Sequence, residues 1–166
     1  MFPCVIIRTH EEIAAWQLAK DLERRVWAWT GSPPASRNAG FCDQIRQSSA
    51  SAPSNIAEGF GRFWPLAFAD KLRIAIGELR ETQNHLDTAL DQKYLSQAKY
   101  DELFRLADRA IGAAVNFAKY LESAGPDWKK NFRARQRGKP LPNGNKEPEN
   151  PEPENPEPEN PEPKEP

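Results

Sequence analysis

The sequence predicts an all-α protein, an antiparallel up-down-up-down four-helix bundle followed by a disordered, charged C-terminal tail. Three observations carry this. Apolar residues recur at alternating spacings of three and four in four separate segments, the signature of helices with one buried stripe. No stretch sustains the period-two alternation of a strand. The connections are short, which makes sequential helices antiparallel neighbours.

The first helix is expected to start at Thr9, a capping box with Glu12 three residues on. Ala15, Ala19, Leu22, Val26 and Trp29 then form its stripe, widened by Ile13, Trp16 and Leu18, and Gly31 with Pro33 and Pro34 ends it. The second helix starts between Ser36 and Gly40, with Phe41, Ile45, Ser48, Ala52, Ile56 and Gly59 on its inner face. The small residues there let a neighbouring helix approach closely. Pro53 lies inside this pattern and should cost a backbone hydrogen bond and bend the helix, yet the spacing resumes beyond it. Gly59 and Gly61 make the next break. Pro65 opens the third helix as a first-turn residue, and Phe68, Leu72, Ala75, Leu79, Thr82, Leu86 and Ala89 form the most regular stripe in the chain. After a turn at Lys93–Ser96, Leu103, Ala107, Ala110, Ala114, Phe117 and Leu121 mark the fourth helix, stopped by Gly125-Pro126.

These elements divide the chain into an extension (1–8), the bundle (9–125), a basic linker (126–146) and a Pro/Glu tail (147–166). The overall net charge of -1 averages unlike regions. Residues 1–128 hold 15 Lys+Arg and 16 Asp+Glu; residues 129–146 hold seven basic residues and no acid; residues 147–166 hold eight Glu and one Lys. The ENPEP motif occurs three times from Glu149 to Pro163 with no apolar residue besides proline, so nothing there offsets the entropy of ordering. Alternating Pro and Glu favours an extended, polyproline-like chain. Cys4 and Cys42 do not make a disulfide framework and are read as two reduced thiols. The apolar run Phe2–Ile7 is too short for a signal h-region or a membrane span. A cytoplasmic protein without membrane association is expected.

Within the second helix, Gln44-Ile45-Arg46 and the string from Ala52 to Arg62, APSNIAEGFGR, resemble the signature of the bacterial four-helix-bundle proteins encoded in intervening sequences of 23S ribosomal RNA genes. Thr30, Pro34, Gly40 and Gln44 before the string agree in order and spacing, as does Ile74–Glu81 after it. The resemblance spans about Ile13 to Glu122. Gln47 stands where the family usually has a second arginine, Glu78 where it has a serine, and the Pro-rich segment Ser32–Asn38 departs from the usual first loop. The resemblance implies a symmetric homo-oligomer, typically a pentamer, without catalytic activity or cofactor. It also points to the related accessory proteins of diversity-generating retroelements, which bind nucleic acid and a reverse transcriptase.

Two sets of candidate site residues follow. Gln44, Ser48, Ser51, Asn55, Glu58 and Arg62 lie at spacings of four and three, a polar stripe beside the apolar one. It reads either as a solvated face or register-fixing network, or as a subunit or partner interface. Any burial of Glu58 would require a cation such as Arg62. The second set would bind RNA or DNA: Arg46, Arg62 and Arg73 on the bundle, with Lys129, Lys130, Arg133, Arg135, Arg137 and Lys139 in the basic linker. Trp128 and Phe132 interleave with the linker charges, a composition suited to phosphate neutralisation and base stacking; the plain alternative is a solvated linker. The acidic tail, of equal and opposite charge, then acts either as an electrostatic gate on that contact or as a spacer. A protein–protein scaffold recruiting a partner such as a reverse transcriptase is the competing function.

No metal or catalytic centre is expected. Glu81 and His85 are four apart, but the Glu-x-x-His of bundle di-iron sites is broken by Thr82. Gly59-Phe60-Gly61 lacks the strand and lysine of a phosphate loop. The tryptophans and phenylalanines, Trp16, Trp27, Trp29, Trp64, Phe60 and Phe63, exceed what one small bundle readily buries, which suggests a protein interface.

Overall fold

The structure is a computed structural model that describes residues 7–62 and 64–123. Four helices make up the body: α1 (Ala14–Thr30), α2 (Ala39–Gly61), α3 (Pro65–Asp91) and α4 (Gln97–Ser123), with no strand among the described residues. Each packs on its chain neighbours, and α1 closes the ring against α4. The stop expected at Gly125-Pro126, the basic linker and the tail lie outside the described residues.

The apolar stripes meet along the bundle axis. Leu22, Val26, Ile45, Ile56, Phe68, Leu72, Leu79, Leu86, Leu103 and Leu121 are fully buried, interleaved with Ala19, Ala52, Ala75, Ala89, Ala107, Ala110 and Ala114. Burying one such large side chain contributes roughly 1.5–3 kcal/mol, so the stripes are the main driving force of the fold. The six positions expected on the inner face of α2 are all buried. α2 runs unbroken through Pro53, itself buried. Phe117 and Trp29 are only half-buried at the edge of the core.

Helix one begins later than expected. Thr9 makes no side-chain cap bond, and residues His10–Glu12 form a 3-10 turn. Glu12 Oε2 accepts instead from the backbone N–H of Arg8 at 2.8 Å. Ile13 is extended (φ −80°, ψ 119°) and buried, and α1 proper starts at Ala14. Burial of the Ile13 side chain outweighs the local capping preference. Asn38 caps α2, its side chain accepting from Phe41 N–H at 3.1 Å and donating to the Tyr94 hydroxyl at 3.0 Å.

The α3–α4 turn places Lys93 at φ 58°. Tyr94 N–H donates to Ala89 C=O at 2.8 Å and Lys93 N–H to Leu90 C=O at 3.0 Å, the paired bonds of a Schellman ending. A left-handed residue with a Cβ costs about 1–2 kcal/mol that glycine does not incur. Lys93→Gly is therefore expected to raise unfolding free energy by about 1 kcal/mol in urea titration.

Polar bonds tie the helices together at their flanks. The Tyr100 hydroxyl of α4 donates to Asp87 Oδ1 of α3 at 2.7 Å. That bond, joined by burial and the nearby carboxylates, pushes the phenol up to about 12. Its stabilisation is complete below the ordinary phenol range near ~10 and is lost as pH rises towards the folded value. The stability gap between the native chain and Tyr100→Phe should therefore narrow steadily as pH is raised above ~10; a gap independent of alkaline pH would contradict the bond.

Candidate nucleic-acid interface

The polar stripe of α2 divides between core and surface. Ser48 is buried at the α2–α3 contact, where its hydroxyl donates to Ile45 C=O and accepts from Thr82 Oγ1 at 3.0 Å. Ser51 and Asn55 are half-buried, and Asn55 Nδ2 donates to Ser51 C=O at 2.9 Å. Gln44, Glu58 and Arg62 are exposed. Glu58 is paired with Arg62 one turn on and with Lys71 of α3 at 2.7 Å. The Lys71 ammonium first, and Arg62 second, hold its carboxyl below the usual range. The lower part of the stripe is thus an ionic seam along the α2–α3 flank.

The three candidate arginines of the bundle are not brought together. Arg73 bridges α3 to α4, donating to Asp70 at 2.5 Å and to Glu122 at 2.6 Å. Arg62 is bound to Glu58 near the end of α2. Arg46 lies on α2 sixteen residues before Arg62, the residue that follows the helix, about 24 Å away along the axis, and faces α1. Two of the three charges are thereby offset by carboxylates in place. The linker residues Lys129, Lys130, Arg133, Arg135, Arg137 and Lys139 lie outside the described residues.

Arg46 is differently placed. Its Nε donates to the buried Thr30 Oγ1 at 2.8 Å, and its guanidinium carbon sits 4.5 Å over the Trp27 ring. Thr30 Oγ1 is in turn fixed by donating to Val26 C=O at 2.7 Å. The fork is therefore held in one plane, and its Nη groups have no bonding partner among the described residues. Trp27 is 51% exposed and Arg46 half-buried beside it, so an exposed indole lies next to Nη groups that have no bonding partner among the described residues. The sequence marks Arg46 and Trp27 as candidates separately, without relating them. They are nineteen residues apart on different helices, and no spacing rule relates them.

The remaining aromatics vary in exposure. Trp16 and Trp29 are half-buried against the core, and Trp29 Nε1 donates to Tyr94 C=O at 3.1 Å. Trp64, Leu66, Ile74 and Tyr120 are exposed. Phe63 and Trp128 lie outside the described residues. Cys42 is a buried free thiol near Ala35 C=O at 3.2 Å, and Cys4 lies outside the described residues. His85 Nε2 approaches Glu81 at 3.5 Å without a hydrogen bond, beneath the edge of Phe41. Among the described residues no His/Cys/Asp/Glu group could hold a metal ion, and no helix is long and apolar enough to cross a membrane.

The bundle is similar to the crystal structure of a protein with unknown function from the S23 ribosomal protein family of Bacteroides thetaiotaomicron, with a TM-score of 0.58 and 20% identity. The match covers 63% of this chain and 95% of that one, and it shows a shared fold. No curated protein matches the chain. The model of the 23S rRNA-intervening sequence protein family matches residues 11–114, a stretch that holds the APSNIAEGFGR string and most of the four helices. Neither description names a catalytic activity. The chain belongs to the 23S rRNA-intervening sequence protein family.

Proposed function

We propose that the chain is a non-catalytic, self-associating bundle that binds single-stranded RNA or DNA, as an accessory protein of the rRNA intervening-sequence or retroelement type. The observation that carries this reading is the Trp27–Arg46 pair. A half-exposed indole offers a stacking face to any base, and a fixed guanidinium beside it offers two donors to a phosphate. The seven basic residues of 129–146 supply the sequence-independent charge that such binding draws on. Arg62 and Arg73 add less, because Glu58, Asp70 and Glu122 already offset them.

Self-association is supported by the exposed Trp64 and Tyr120, of the types enriched at interface centres, and by the exposed apolar Leu66 and Ile74. Ile74 lies one turn on from Lys71, which pairs with Glu58 of the α2 stripe Gln44, Ser51, Asn55, Glu58 and Arg62. A ring such as a homopentamer would cover such surfaces. Those same residues favour a second reading, a scaffold that recruits a protein such as a reverse transcriptase and touches no nucleic acid.

A gel-shift titration separates the two. Binding to single strands that is strong at ~50 mM salt and falls steeply by ~200 mM supports the first reading; no binding at the lower salt leaves the scaffold. Light scattering at micromolar concentration should show an oligomer, and a monomer would count against the interface in both.

A further inference from the structure

We infer that the Pro/Glu repeat of this chain docks on its own Trp27–Arg46 pair and competes there with nucleic acid. Only the competition rests on the nucleic-acid reading; the docking stands by itself. Every proline from Pro148 to Pro166 is adjacent to a glutamate. Proline-rich segments dock on aromatic faces in an extended, preformed conformation, and carboxylates pair with the arginine fork. Consecutive residues of such a segment advance ~3.1 Å, and the ring and the guanidinium lie 4.5 Å apart. A neighbouring proline and glutamate therefore reach indole and Nη donors together. Trp64 is also exposed, at 63%, but the nearby Arg62 is taken by Glu58. An exposed ring beside a guanidinium whose Nη groups have no partner among the described residues occurs at Trp27.

The chain is long enough to make this contact. Arg25, two residues before Trp27, bonds Glu102, which lies twenty-one residues before Ser123, about 32 Å along the axis. Twenty-three residues separate Ser123 from Glu147. A segment of that many residues reaches at most about 75 Å, more than the distance to be covered. The effective concentration of the repeat at the pair is on the order of a millimolar, enough to populate a weak contact, and three ENPEP copies supply alternative registers.

The test uses the full chain and nitrogen–proton correlation spectra, with the Trp27 indole signal assigned by its loss in Trp27→Phe. Replacing the eight tail glutamates with glutamine, or the tail prolines with alanine, should each move that signal, and Arg46→Gln should abolish the difference. A Trp27 signal unmoved by either tail variant overturns the docking. Movement confined to the backbone signals of residues 129–146 overturns it too, because the tail then pairs with the basic linker. Sensitivity to the glutamates alone removes the proline-stacking element and overturns the docking as stated. Adding an oligouridylate RNA at ~50 mM salt, where phosphate contacts are strong, separates the two ideas. A tail-dependent signal that RNA does not move leaves the docking and sinks the nucleic-acid reading, while an RNA-dependent signal blind to the tail does the reverse.

Discussion

Gly59→Ala is expected to destabilise the protein by about 2 kcal/mol or more, although alanine is the better helix former by roughly 1 kcal/mol. A Cβ at this position would overlap Phe68 Cδ2 and come within 2.7 Å of Phe68 Cε2 and 2.9 Å of Lys71 Cβ. Phe68 is fully buried, edge-on to Phe117, so its ring has little room to retreat. Lys71 Cβ is anchored to its own backbone. The remaining way to admit a methyl group is to push α2 and α3 apart, which opens the Ser48–Thr82 bond and the surrounding packing. Gly77 and Gly112 provide the contrast, since nothing lies within 4 Å of a Cβ at either. Alanine there should stabilise by about 0.5–1 kcal/mol. Urea unfolding of the three variants checks both signs, and a neutral Gly59→Ala would contradict the close approach of α2 and α3.

The second large effect concerns binding. Replacing the seven basic residues of 129–146 with glutamine should remove most of the affinity for single strands at ~50 mM salt, a loss on the order of a thousandfold. Each neutralised phosphate contributes about 0.7 to the slope of log affinity against log salt on single strands. If most of the segment makes contact, the native slope should be about −4 or steeper, and the variant's slope should be near −1, left to Arg46 and its neighbours. Filter-binding titrations over a salt series measure both slopes. Equal slopes would assign the contact to the bundle and leave the segment as a solvated linker.

The bundle was legible in sequence because one physical effect dominates it. Stripes such as Phe68, Leu72, Ala75 and Leu79 have a single low-energy arrangement, facing inward. The small inner face of α2 likewise foretold a close helix contact, which Gly59 makes with Phe68. What escaped depends on partners distant in the chain. Thr9 and Glu12 satisfy the local capping pattern, but the chain is extended at Ile13, whose side chain is buried in the core. Lys93 occupies a left-handed turn that sequence would assign to glycine. Ser48 and Asn55 share one periodic stripe, yet Thr82 of α3 draws the first into the core, while the second stays half-exposed. Arg73 is an available cation by sequence alone, but the fold brings Glu122, forty-nine residues away, beside it. The Trp27–Arg46 pair is of the same kind, a contact made by the α1–α2 packing and invisible to spacing.

Tryptophan fluorescence of the native chain and of Trp27→Phe, each titrated with an unstructured single-stranded RNA at ~50 mM salt, is the most direct test of that pair. Stacking of a base on the exposed indole predicts quenching that is larger in the native protein than in the variant, together with an affinity loss of roughly five- to a hundredfold, the equivalent of one base–aromatic contact. Identical quenching and identical affinity in the two proteins would mean that nucleic acid does not use Trp27.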